Sequence, residues 1–307
     1  DMEALLGGPR PNFDELLKPQ TDAARERVQR LRETRRMEPE IMKQVDEQFG
    51  PLEWRLPDAH AIYWAWVGLQ NAKKKDLLTL RRVIYQSMSQ SVIRGRLFSV
   101  NPLRYGPDLD KVDRANAAYE QMITEDTEMG SAIKLAHRAF LREAIYLLYT
   151  HNRLPKANEL LQYCRKLYPD LIDPKLSLDQ FAVDRLTSQI SLLSQDRMRL
   201  VISGLIYQHY LYLALDEDDR AIGYERMSRQ LWAYYDERIA NRRDPLQFPQ
   251  HEEMKATVLK DALNPDTGLL TPELIARLRT RLRIPVSAIS AGAGSASTNS
   301  PANPVQP

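Results

Sequence analysis

The side chains in this sequence whose types offer chemistry are five histidines, a run of four acids, one cysteine and an alternating set of arginines. His60, His137, His151, His209 and His251 are scattered, without the spacing that would gather them on a metal. His251-Glu252-Glu253 opens like a zinc-hydrolase helix, but Lys255 stands where the second histidine is needed. Asp216-Glu217-Asp218-Asp219 lacks the alternation and turn glycine of a calcium loop and is expected to be an inter-helix loop that caps the next helix. Around Gly268, the first three ligand positions would fall on Leu263, Pro265 and Thr267, which rejects that loop too. There is no phosphate-loop spacing, and Gly292 and Gly294 follow no strand. The single cysteine, Cys164, excludes an internal disulfide and a cysteine zinc cluster. No catalytic residue, cofactor or metal ligand is nominated, and the acids are too numerous for the sequence to single out an acid–base pair.

The residues that stand out for binding are aromatic and cationic. Tyr207, Tyr210 and Tyr212 lie so close along one helix that they cannot all face one side, so at least one is expected to reach a groove or the surface. Arg277, Arg279, Arg281 and Arg283 flank a stripe of Leu274, Ile275, Leu278 and Leu282. That stripe is expected to dock on the body while the arginines face water. Tyr207, Tyr210, Tyr212, Arg277 and Arg281 are therefore the partner-binding candidates. His209, on the tyrosine-rich helix, is expected to be a hydrogen-bonded core residue.

The elements that must position these residues read as helices. The chain has 307 residues, 43% hydrophobic and 27% charged, with only 12 glycines and few alternating runs, a balance that argues for an all-α fold. A net charge of +2 is too even to argue for nucleic acid. The most apolar run, Ala59 to Leu69, is shorter than the roughly 20 residues a spanning helix needs. The chain opens on Asp1 rather than methionine, which leaves room for an upstream signal or anchor, and one cysteine does not separate cytoplasm from cell envelope.

The clearest element pair lies in Leu135–Asp170. Leu141, Ala144, Ile145 and Leu148 make one apolar face. His151-Asn152-Arg153 breaks the pattern, and Pro155 opens a second helix whose face is Ala157, Leu160, Leu161, Cys164 and Leu167. Two such helices joined by so short a break form an antiparallel hairpin. Residues 138–171 resemble a tetratricopeptide repeat, a 34-residue helical hairpin. Leu141 and Leu148 match its bulky positions in helix A, Ala157 and Cys164 its small positions in helix B, Leu161 the large one and Pro169 the terminal proline. Ile145 departs from the usual small residue and Asn152 from the turn glycine. Trp64-x-x-Val67-Gly68 gives a partial second match, with Leu80 in place of a small residue. The resemblance implies hairpins stacked in a right-handed, irregular body that offers a binding surface and no activity.

Along the rest of the chain, residues 1–50 read as an extended lead-in followed by a charged, solvated arm with helices over 23–36 and 39–49. Residues 51–244 hold the hairpin core, with Trp64 and Trp66 packed inside and a loop from Leu97 to Pro107. Ser177 with Gln180 makes a capping box. Met198–Leu215 and Arg220–Asn241 form a third hairpin, the latter with Ile222, Met227, Leu231, Trp232 and Tyr235 inward. Residues 245–285 are a linker and a helical extension, and 286–307 a disordered, dispensable tail. The function expected is a non-enzymatic scaffold or adaptor for another protein. Two other readings are an α-helical enzyme with a carboxylate site and an anionic-surface binder using its arginine-rich helices.

Overall fold

The structure is a computed structural model that describes residues 2–73, 77–98, 103–125, 130–188, 195–240 and 248–285. The fold is all-α, with fourteen α-helices and one two-stranded ribbon among the described residues. The chain divides into two compact units, 1–189 and 190–307, a break that falls inside the span read from sequence as one hairpin core. No helix among the described residues is long and apolar enough to cross a membrane. The expected tail, 286–307, lies outside the described residues.

The first unit begins with two short helices, α1 (Met2–Leu6) and α2 (Phe13–Leu17), where an extended lead-in was expected. Leu5, Leu6 and Leu16 are buried, and that apolar area holds the segment against α3 (Asp22–Arg35) and α4 (Pro39–Phe49). Thr21 caps α3, its hydroxyl accepting from Ala24 N at 3.1 Å. Most arginines of α3 face outward, but Arg27 is half-buried and pairs with Glu15 of α2 at 2.7 Å, while Ala24, Val28 and Leu31, at i, i+4 and i+7, are buried. Trp54 is fully buried, and its indole N–H donates to Asp46 Oδ1 at 2.9 Å.

α5 (Pro57–Asn71) and α6 (Leu77–Arg94) pack as a hairpin. The two helices come close at Gly68, where a Cβ would lie 3.1 Å from the Leu80 side chain. The large residue on α6 is accommodated by the missing one on α5. Trp64 does not pack inside as expected: it is 45% exposed, because the helix turns its buried face through Ala59, Ile62, Tyr63 and Ala65. The expected loop after α6 contains a short antiparallel ribbon, β1 (Arg96–Phe98) with β2 (Arg104–Gly106), which pairs Leu97 with Tyr105. Three-residue strands carry too little alternation to be visible in sequence.

α7 (Val112–Glu125), α8 (Gly130–Thr150) and α9 (Leu154–Leu167) follow, each packed on the next, and α10 (Leu178–Thr187) packs on α8 and α9. α8 and α9 form the hairpin expected from sequence. Leu141, Ala144, Ile145, Leu148, Ala157, Leu160, Leu161 and Cys164 are all buried. Asn152 takes a left-handed φ of 59° in the turn, a conformation asparagine tolerates where glycine would be usual. Leu167 was expected inward but is exposed; the stripe 157, 160, 161, 164 continues at 168, so Tyr168 takes the inner position. The capping box at Ser177 and Gln180 is formed.

The second unit holds α11 (Gln195–Ala214), α12 (Asp218–Ala240), α13 (His251–Leu263) and α14 (Pro272–Leu282). α11 packs on the other three. Met227, Leu231 and Tyr235 are buried as expected, whereas Ile222 faces out and Ala221 takes the inner place. Leu274, Ile275 and Leu278 dock α14 on the unit through one stripe.

Candidate functional site

The candidates nominated from sequence are mostly absorbed by packing and internal ion pairs. Tyr210 and Tyr212 are buried; the Tyr210 hydroxyl donates to Lys255 O at 3.4 Å, and the Tyr212 ring stacks on Tyr224 at 5.4 Å. Tyr207 is half-buried, with its hydroxyl donating to Leu269 O at 2.9 Å. Arg277 pairs with Glu273 at 2.6 Å, and Arg281 pairs with Asp218 and reaches Asp216 Oδ1 at 3.7 Å. The acidic run thus places Asp218 and Asp219 in the first turn of α12 and answers an arginine of α14. Among the described residues no group of three or more His, Cys, Asp or Glu side chains could hold a metal.

Four of the five histidines, His137, His151, His209 and His251, are core residues, and His60 is half-buried with Nε2 2.8 Å from Trp54 O. His209 sits 2.9 Å from Ala221 O, and burial lowers its pKa. His137 is fully buried between Tyr119 and Tyr168. His251 mimics catalytic geometry: Nε2 lies 2.9 Å from Ser228 Oγ and Nδ1 lies 3.5 Å from Glu252 Oε1. That serine is completely buried, and its hydroxyl donates to Glu225 O at 2.8 Å. The shared proton between Ser228 and His251 is therefore the imidazole's, so His251 is a donor to the serine and not its base. Burial pushes the Cys164 thiol up to about 11, which leaves it protonated and out of reach.

One surface that groups unspent charge along a helix is the outer face of α8. The helix buries one stripe, and the opposite one carries Ser131, Lys134, Leu135, Arg138, Ala139 and Arg142. Lys134, Arg138 and Arg142 stand at i, i+4 and i+8, so they line up along the axis. With Leu171 from the segment after α9, they line a shallow groove of about 460 Å³. From Ser131 to Arg142 the stripe takes eleven helical rises, about 17 Å.

The three cations are not equivalent. Arg138 is held by Asp170 through two bonds, 2.6 and 3.3 Å, and lies 5.3 Å from the Tyr168 ring centroid. The guanidinium keeps Asp170 below the usual carboxylate range. Lys134 and Arg142 have no carboxylate partner among the described residues, and Arg142 Nε is shielded from water without a hydrogen bond. Between them Leu135 is 69% exposed. An apolar side chain flanked by two unanswered cations is suited to a ligand that alternates acid and hydrocarbon.

Sequence reasoning passed over this stripe because it followed the buried face of the same helix. The available signal was the four-residue spacing of Lys134, Arg138 and Arg142 around Leu135. No family model matches this chain, and the comparisons with curated proteins and with solved structures found no match.

Proposed function

We propose that this chain is a non-enzymatic scaffold that holds a partner protein through the outer face of α8, and that the partner presents an acidic segment with apolar side chains. The observation that carries the reading is the pair Lys134 and Arg142, without counter-charge, astride the exposed Leu135. The tetratricopeptide-like character of residues 138–171 supports it, since α8 is the first helix of that hairpin. An extended segment of about five residues would match the stripe, at roughly 3.3 Å per residue. Two free cations are too few for a polyanion surface, where tight binding rests on roughly 6–10 phosphate contacts. On α14, Arg277 and Arg281 are already paired, which leaves Arg279 and Arg283, again two cations, for that alternative.

The reading is tested by selecting a random peptide library on the full chain. Enriched peptides should alternate Asp or Glu with Leu, Ile or Phe, and should be lost in Lys134→Glu/Arg142→Glu. Peptides retained by that double variant would overturn the assignment. Tighter binding of duplex DNA or anionic vesicles than of any selected peptide would also overturn it.

A further inference from the structure

A second concave site lies elsewhere in the first unit, where the end of α4 meets α5, α6 and α7. Its walls are Phe49, Trp66, Leu69, Leu77, Ile84 and Met122, around a cavity of about 200 Å³. The Trp66 ring meets Phe49 edge-on at 5.8 Å. Such a volume is below the roughly 300–1,000 Å³ of sites for drug-sized molecules, so it fits a short hydrocarbon chain or a single ring.

One charged pair also lines this apolar cleft. Arg81 Nη2 lies 2.8 Å from Glu125 Oε2, with about a third or less of either side chain exposed. Gln121 Nε2 donates to the other carboxylate oxygen at 2.7 Å. The two partners are unequally placed. Arg81 stands within α6, one turn from Leu77 and Ile84, where a cation is neutral to the helix. Glu125 stands in the last described turn of α7 and keeps about a third of its side chain in water. The anion seat on Arg81 is therefore filled by an internal group with a route to solvent. Arg81 meets Glu125 through a single nitrogen, so an incoming carboxylate that engages the guanidinium's full fork can replace it.

We infer that this cleft binds a small carboxylate with an apolar tail, that Arg81 is its anion seat, and that Glu125 is a built-in competitor for that seat. The tail would lie against Trp66, Leu69 and Met122, and the ligand's carboxylate would displace that of Glu125 into solvent. The site is separate from the α8 face and does not rest on the function proposed above.

The competitor role gives an asymmetric test, since both partners of an ordinary ion pair would behave alike. Octanoate is titrated into the full chain, with octanol and octylamine in parallel. The readout is the Trp66 indole N–H resonance, identified by its loss in Trp66→Phe. Octanoate should shift that signal saturably, and the other two should bind at least about tenfold more weakly. Arg81→Gln should weaken octanoate binding by about tenfold or more, whereas Glu125→Gln should tighten it severalfold. Should Arg81→Gln fail to fold, the Glu125→Gln arm decides alone when repeated at about 0.5 M salt, where through-space repulsion is screened and tightening reports competition for the seat. No saturable shift, octanol binding as tightly as octanoate, or weaker binding in Glu125→Gln would each overturn the inference.

Discussion

His137 Nδ1 lies 3.0 Å from the Tyr168 hydroxyl, and this contact ties the middle of α8 to the residue that ends α9. On its other side Nε2 lies 2.7 Å from Asn116 Oδ1 of α7. The Asn116 amide in turn donates to Glu120 at 3.1 Å, which leaves its oxygen as the acceptor for the imidazole. His137 thus carries its proton on Nε2 and accepts from Tyr168. Three consecutive helices are joined through one neutral ring that stacks on Tyr119.

That arrangement makes stability depend on pH. Burial lowers the His137 pKa from 6.5 to about 4. Below pH 6.5 the unfolded chain takes up a proton that the folded chain refuses until about pH 4. Stability should therefore fall as pH drops through this window, by an amount on the order of 3 kcal/mol for this group. Denaturant unfolding of the native chain and of His137→Gln at pH 7.5, 6, 5 and 4.5 checks it. The variant should be less stable at pH 7.5 yet lose less on acidification; parallel profiles would mean that His137 is not the group that titrates.

Ala157 should be intolerant of bulk. It is fully buried where α9 faces α8, in an interior that is close-packed. Ala157→Leu should cost about 1–3 kcal/mol through overpacking, whereas Asn158→Leu, one step round on the exposed face, should change stability by less than about 0.5 kcal/mol. Chemical denaturation of the two variants compares them directly, and equal losses would refute the assigned hairpin face.

The legible part of the fold was that carried by long apolar stripes. The hairpin of α8 and α9 could be read because four buried positions recur on each helix. The helix starts at Pro39 and after Ser177 were legible because a first-turn proline and a capping box are local signals. Leu167, Ile222 and Trp64 were misplaced for a different reason. Each adjoins the stripe at an angle where either a neighbour or water can cover it, and only tertiary contacts decide. The lead-in at 1–19 looked extended because Gly7-Gly8-Pro9 dominates it, but Leu5, Leu6 and Leu16 find an apolar surface that no local pattern reveals. The site was harder still. Tyr210 and Tyr212 were attractive as aromatic anchors, but a helix covered by three others buries most of its circumference. Lys134 and Arg142 matter because they lack partners, and partnership is a property of the fold.

Ser228 should be inert to reagents that label activated serines. Although His251 Nε2 lies 2.9 Å away, the hydroxyl is committed to Glu225 O and is sealed from solvent. A fluorophosphonate should leave no adduct on Ser228 in intact-mass and peptide analysis of the folded chain. Ser228→Ala should instead destabilise the protein by roughly 1–3 kcal/mol, since the buried imidazole N–H is left without its acceptor. An adduct formed under native conditions, accompanied by turnover of an ester that Ser228→Ala abolishes, would reinstate an enzyme reading.

The three cations of the α8 face should separate by their present partners. Lys134 and Arg142 have no carboxylate to lose among the described residues, so reversing either charge should change stability by no more than about 0.5 kcal/mol. Arg138 is different, because Arg138→Glu breaks two bonds to Asp170 and sets two carboxylates side by side. Its stability loss should exceed that of the other two, yet its effect on binding of an acidic peptide should be the smallest, since Asp170 already neutralises it. Melting temperatures and peptide anisotropy measured on Lys134→Glu, Arg138→Glu and Arg142→Glu give both rankings. The expected pattern is inverse: the substitution that most disturbs the fold least disturbs binding. If Arg138→Glu instead proved the most damaging to binding at unchanged stability, the free-cation argument for this face would fail.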